Sequence, residues 1–577
     1  MKGTQGTFWK KSYDPGIDDL DPVLWETTLD KVYHQSMDAF PKRAALAFMG
    51  VEISFADLDQ YANRFAHLLL SNRFKKGDVV GISLPNIPEY VIAILGTLKA
   101  GCVVSGVSPL LSADEMAFQL KNSDAKAFVT LDAIFEKHLT CIHSTLPELK
   151  LVVAASVGGF LPGVKRFLGK LLGKIPKGRV TPLKGKTIVK FHYILHAKSV
   201  SSARPDIDIF PDDIAYLQYT GGTTGTPKGA EMTHRNAVAD MVIVSTWLHL
   251  KKGKETALSA FPLFHIAGLF TSSVFLSYGI TQILIPNPRD TDRICTDMET
   301  YKPFFTANVP SLYHLLMENP KFKHMDHSNL KICITAAAAY PEDSQKKLET
   351  IIGKGKLIEA YGMTETSPLT AMNPVNGKKK LGSIGLPLPN TDIKLVDPQT
   401  RNQVAQGEPG EICIKGPQVM KGYYKLHEEI KNIMDAQGYL YTGDVAIQDA
   451  EGYLTIVDRT KDMINVSGFK VFSKKIEDIL AAHPAILEIA TIGILDPQKP
   501  GSEMVKAYVT IDKGLEFHGG EDAVKADIMA FAKQKLAAYE VPKEIEFRTE
   551  LPLTSVGKLD KKALRKEIDG FNPALTR

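Results

Sequence analysis

The segment "SFADLDQYANRFAHLLL" places apolar residues at Leu58, Tyr61, Ala62, Phe65 and Leu69, the spacing of one helical face, with Ser54 in position to cap the N-terminus. The run "DVVGISLP" that follows is short, apolar and β-branched, as a buried strand would be. "PEYVIAILGTLKAG" predicts a second helix closed by Gly101, and "CVVSGVSP" the next strand. Alternation of this kind predicts βαβ units and largely parallel sheets. At 577 residues the chain exceeds the ~250–300 that one core can serve, so at least two domains are expected.

A change of pattern comes near residue 458. Before it, "GEPGEICIKGPQVMKGYY" is rich in glycine and β-formers and predicts a small β region. After it, "DRTKDMINVSGFKVFSKKIEDILAAHP" opens a charged segment of short strands and helices. The expected organisation is α/β: a large domain over 1–458 with βαβ-type sheets and a small β subdomain, then a small, mobile α+β domain over 459–577, hinged at "RTK".

One long apolar stretch tests that picture. From Thr256 to Asn287 there is no Lys, Arg, Asp or Glu, which is long enough to cross a bilayer. Pro262, Gly268 and Gly279 interrupt it, and "ITQILIP" is β-branched, so a buried helix followed by a strand is expected instead.

Charge and cysteines narrow the classes. A net charge of +4 is too small to imply nucleic acid, and 44% hydrophobic with 23% charged residues is ordinary for a globular protein. The five cysteines lie far apart without a Cys-x-x-Cys pair, which predicts reduced thiols rather than disulfides or a metal cage. Neither end carries a secretory, peroxisomal or prenylation signal, so a cytoplasmic protein is expected. Between Leu149 and Pro205 there is no Asp or Glu. Within that tract Val164, Phe167, Leu168, Leu171, Leu172 and Ile175 share a helical face while Lys165, Arg166, Lys170 and Lys174 fall largely elsewhere. Residues 160–180 therefore read either as a surface helix docked on its own protein or as a peripheral contact with an anionic membrane, although Gly163, Gly169 and Gly173 weaken the helix.

The candidate chemistry begins at "YTGGTTGTPKG", residues 219–229. It is not a P-loop, because Lys228 is followed by Gly229 rather than Ser or Thr. Glycines that reach positive φ nonetheless let backbone N–H groups converge on an anion, while threonine hydroxyls add donors and Lys228 adds charge. Taken alone, a glycine-rich string of this kind is more often only a turn.

The string resembles the phosphate loop of the adenylate-forming superfamily, in the form found in bacterial long-chain fatty-acid–CoA ligases, and further motifs follow in the same order. The resemblance implies that Thr220, Gly221, Gly222, Thr223, Thr224, Gly225, Thr226 and Lys228 cradle the phosphates of ATP. "YGMTET" is similar to the second signature, which implies Tyr361 and Gly362 beside the adenine, Thr364 at the α-phosphate and Glu365 on Mg2+. "TAAAAYP" lines up with a Ser-Gly-Ala-Ala-Pro stretch and brings Ala336, Ala337 and Ala338 to the adenine, although Ala336 replaces the usual glycine. "YTGD" implies Asp444 on the ribose hydroxyls, and "DRTKD" implies Arg459 on the nucleotide and Lys461 as hinge. Gly468 would then lie on the coenzyme A side. "FPLFHIAG" implies His265 beside the acyl pocket, and "LPLTSVGKLDKKAL" makes Lys558 the catalytic lysine.

The activity implied is ATP-dependent ligation of a fatty acid, long-chain by resemblance, to coenzyme A with Mg2+ as cofactor. A medium-chain or aryl-acid ligase, an acyl-AMP ligase serving a carrier protein, and an inactive nucleotide- or fatty-acid-binding relative are the alternatives. Retention of Lys558, Glu365 and Asp444 weighs against the last. Monomer and homodimer both stay open.

Overall fold

The computed structural model describes residues 7–173, 175–197, 199–220, 226–338, 340–467, 469–511, 520–553 and 559–568. The chain divides into two compact units, one made of residues 1–392 with 415–438, the other of 393–414 with 439–577.

The first unit holds two large sheets. In one, Ile214–Thr220, Val103–Gly106, Val79–Ser83, Ala127–Leu131, Leu151–Ala155 and Thr187–Lys190 run parallel in that order. Lys228–Thr233 and then Gly422–Tyr423 extend it in antiparallel fashion beyond Ile214–Thr220. In the other, Leu357–Gly362, Ile332–Thr335, Phe305–Asn308, Thr256–Ser259, Thr281–Leu284 and Ala44–Phe48 run parallel. Its edges are antiparallel, Leu369–Met372 with Leu386–Pro387 on one side and Val51–Ser54 on the other.

Most of the parallel strands are buried along their length, as expected where helices cover both faces. The expected helices form at Phe55–Ser71 and Pro88–Lys99. The Ser54 hydroxyl accepts the Asp57 N–H at 3.0 Å, the predicted cap. Thr256–Asn287 folds as strand, helix Ile266–Ser277 and strand Thr281–Leu284, and among the described residues no helix is long and apolar enough to cross a membrane. Among the described residues the five cysteines form no disulfide with one another, and four of them are buried.

The second unit holds most of a four-stranded sheet, Asp392–Val396, Gly410–Lys415, Leu440–Gln448 and Leu454–Arg459, antiparallel across its last three strands. It continues into an α+β body in which Ile486–Leu495, Glu503–Ile511 and Glu544–Phe547 form a sheet. Helices Ser473–Leu480 and Gly520–Lys535 close its core around Ile476, Leu480, Val505, Val509 and Ile528.

Candidate functional site

In the first unit, the predicted nucleotide residues gather at the ends of paired strands. Thr220 ends one strand and Lys228 begins the next, the two lying opposite each other in the antiparallel ladder. The segment joining them therefore leaves and re-enters the sheet at neighbouring points. Thr226 is exposed at its descending end, whereas Gly221, Gly222, Thr223, Thr224 and Gly225 lie outside the described residues.

The second cluster stands at the carboxyl ends of neighbouring parallel strands, where open α/β sheets place their ligands. Ile332–Thr335 and Leu357–Gly362 pair with Thr335 opposite Glu359. Ala336, Ala337 and Ala338 thus leave the sheet beside Tyr361 and Gly362. Ala337 takes a left-handed φ of 71°, unfavourable for a residue with a Cβ and of the kind that collects at functional sites. The sequence locates the departure from the glycine pattern at Ala336; the backbone carries the unusual angle one residue later.

Gly362 is required by close approach, since a Cβ there would lie 1.9 Å from the Pro368 carbonyl oxygen. That contact exists because the chain doubles back. The Met363 N–H donates to the Pro368 carbonyl at 3.0 Å, and the Thr366 hydroxyl donates to the same oxygen at 2.5 Å. Thr364 and Glu365 occupy the short helical turn at the tip. Glu365 is buried, its carbonyl accepts the Met420 N–H at 2.8 Å, and its Oε1 accepts the Tyr423 hydroxyl at 2.7 Å. Burial first, then the facing carboxylate, push the Tyr423 hydroxyl upward and keep it a donor.

The tail of the same turn forms one wall of an apolar cavity. Ala336, Pro368 and Leu369 line it together with Phe261, Phe270 and Val274, among others. The Leu369 N–H donates at 2.9 Å to Asp240, whose carboxyl is fully buried and driven well above the usual range by desolvation. His265 caps the helix Ile266–Ser277, its Nδ1 accepting the Ala267 N–H at 3.3 Å. Its ring is exposed, and its motif neighbours Phe261 and Ala267 are the ones that line the cavity. The free space is about 40 Å³, room for a few waters at ~10–15 Å³ each but not for a long chain, which would enter only as the lining side chains swing aside.

In the second unit, Asp444 and Arg459 face each other across the ladder and form an ion pair at 3.0 Å. Lys461 follows in a tight turn, where the Asp462 N–H donates to the Arg459 carbonyl at 2.9 Å. Burial, reinforced by Arg459, pushes the Lys461 ammonium down to about 8. Gly468 and Lys558 lie outside the described residues.

Residues 33–424 match the AMP-binding enzyme family and residues 475–558 its C-terminal domain. The chain belongs to the AMP-binding enzyme family. Family relatives include a long-chain-fatty-acid–CoA ligase of Bacillus subtilis (strain 168), 37% identical over 565 residues and covering 97% of this chain and 98% of that one. One of the same description from Escherichia coli O157:H7 is 34% identical with the same coverage. Among solved family folds, ATP-bound MatB from Rhodopseudomonas palustris aligns with a TM-score of 0.80 at 26% identity, over 94% of this chain and 99% of that one. The anthranilate CoA ligase AuaEII with anthranoyl-AMP shares the fold at 23% identity, a TM-score of 0.80, and 95% and 98% coverage.

No group of three or more His, Cys, Asp or Glu residues fit to hold a metal occurs among the described residues. A single buried carboxylate suits Mg2+, which keeps waters and substrate phosphates as its other ligands. Glu365 fits that role.

Proposed function

We propose that this enzyme activates a fatty acid with ATP and transfers the acyl group to coenzyme A. The observation that supports this best is the turn 363–369, whose tip carries Thr364 and Glu365 and whose tail, Pro368 and Leu369, walls an apolar cavity. A carboxylate whose chain lies in that cavity would have its head beside the α-phosphate.

The carboxylate oxygen attacks the α-phosphorus and pyrophosphate leaves; the coenzyme A thiol then attacks the acyl-adenylate carbonyl and AMP leaves. Both partners of the first step are anions, so the protein's work is positioning and charge compensation. The 220–228 segment holds the β- and γ-phosphates, with Lys228 as its cation. Mg2+, when bound at Glu365, would offset phosphate charge. Tyr361 and Ala336–Ala338 seat the adenine, Thr364 donates to the α-phosphate, Asp444 takes the ribose hydroxyls and Arg459 steadies the nucleotide. Lys558 bridges carboxylate and α-phosphate. A hinge at Lys461, with the segment from 459 onward as a lid, then exchanges Lys558 for the Gly468 loop on the coenzyme A side.

AMP formation with Mg-ATP and coenzyme A tests the assignment, with acetate, octanoate, palmitate, oleate or cinnamate supplied separately. Palmitate and oleate are expected to give the highest rates, with none when coenzyme A is omitted. The small free volume favours a second candidate, a medium-chain or aryl acid, and the highest rate with octanoate or cinnamate would select it. No AMP with any acid would overturn the assignment.

The substrate's solubility bears on location. The helix Gly163–Leu171 forms despite its glycines and leaves Val164, Phe167, Leu168 and Leu171 between 47% and 73% exposed. Apolar side chains open to solvent in a tract free of acids suit an anionic lipid surface on the inner face of the membrane. Co-sedimentation with phosphatidylglycerol vesicles, exceeding that with phosphatidylcholine and reduced by Phe167→Ser with Leu171→Ser, is the expected result. Equal recovery of both proteins with both lipids would reject membrane contact.

A further inference from the structure

The short strand Gly422–Tyr423 docks on Lys228–Thr233 with Tyr423 opposite Ala230. Side chains on one face of a sheet recur every second residue, so Tyr423 falls on the face that carries Lys228. The Lys228 ammonium accordingly lies 5.3 Å from the centre of the Tyr423 ring, while the Tyr423 hydroxyl holds Glu365 at 2.7 Å. A little further along, Glu429 of the turn His427–Glu429 forms an ion pair with Lys228.

We propose that Tyr423 and Glu429 preset the phosphate end of the nucleotide site: Tyr423 is the positioning residue for both Glu365 and Lys228, and Glu429 is the counter-ion that an incoming phosphate displaces from Lys228. The proposal rests on the nucleotide role of those residues given above and adds two groups to it. The direction of a metal-binding carboxylate is set by the groups bonded to it, and the Tyr423 hydroxyl is bonded to Glu365. A lysine on a four-carbon stem needs restraint as well, and the ring beneath it and the carboxylate beside it supply that. The Lys228 and Glu429 side chains are 37% and 36% exposed, so a phosphate reaches the pair from solvent. Exchange of one anion for another means that nucleotide affinity reflects the difference between two charge-assisted contacts.

Calorimetric titration of the full-length protein with Mg-ATP, and with ATP in EDTA, tests this without turnover. Glu429→Gln is expected to tighten Mg-ATP binding about two- to fivefold, the range of a partly exposed ion pair. In a Lys228→Ala background the same change is expected to do nothing, which a merely structural or long-range role would not reproduce. Tyr423→Phe keeps the ring and removes the hydroxyl; it is expected to raise the Mg2+ concentration for half-maximal ATP binding about tenfold and to leave binding in EDTA unchanged. Unchanged or weaker binding in Glu429→Gln, or an unchanged Mg2+ dependence in Tyr423→Phe, overturns the proposal while the nucleotide site stands. Wild-type protein that binds no ATP overturns both.

Discussion

Replacing Lys558 by alanine is expected to slow acyl-adenylate formation by about 3–4 kcal/mol, roughly 100- to 1,000-fold, the loss typical of one oriented donor aimed at developing charge. Thioester formation from supplied acyl-adenylate is expected to change much less, because the proposed hinge motion has by then exchanged Lys558 for the Gly468 loop and the lysine no longer stands at the reacting atoms. The asymmetry is the test, and equal losses in the two half-reactions would remove Lys558 from the adenylation step. The same pair of assays examines the hinge from the other side. Lys461→Pro fixes one backbone torsion in the turn after Arg459, and near-normal adenylation with poor thioester formation is expected. Loss of both activities with an unchanged melting temperature would speak against a hinge there.

Ala267→Phe is expected to lower kcat/KM for palmitate on the order of 100-fold while octanoate loses far less. Ala267 lines the apolar cavity from the first turn of its helix, and a benzyl group there fills a space of about 40 Å³. Each methylene denied burial forfeits about 0.8 kcal/mol, so exclusion of three or four is enough for that ratio. Ala267 is half-buried rather than enclosed, which spares the core the full cost of overpacking. A parallel loss for both acids would place the acyl chain elsewhere.

The local elements were legible because their signals are local. Ser54 sits where its hydroxyl reaches the Asp57 N–H, and of the apolar positions read on that helix Leu58, Ala62, Phe65 and Leu69 are buried while Tyr61 is half-buried. The apolar stretch from Thr256 is broken by Pro262 and Gly268 just where the helix starts, so strand, helix and strand replace a span. The basic segment near 165 became a helix, as its period predicted, but period left open whether its apolar face docks, and the structure leaves Val164, Phe167, Leu168 and Leu171 exposed while Ile175 is buried. The motif positions were legible through resemblance, as chemical types in a fixed order.

Other features depended on contacts between distant residues. Lys228 and Glu429 stand 201 positions apart, and Tyr423 and Glu365 stand 58 apart; neither pairing leaves a periodic trace. The positive φ at Ala337 comes from the path the chain takes on leaving its sheet, not from alanine's own preference. His265 was singled out for the acyl pocket by its motif, yet Phe261 and Ala267 of the same motif line the cavity along with Phe305 and Leu369 from other elements. By itself, then, the sequence determined which segments are helix or strand and which residue types the chemistry can draw on, because backbone preference and side-chain chemistry act within a few residues. Only the tertiary structure decided which of those residues face one another, because strand register and packing are set by partners that lie far away along the chain.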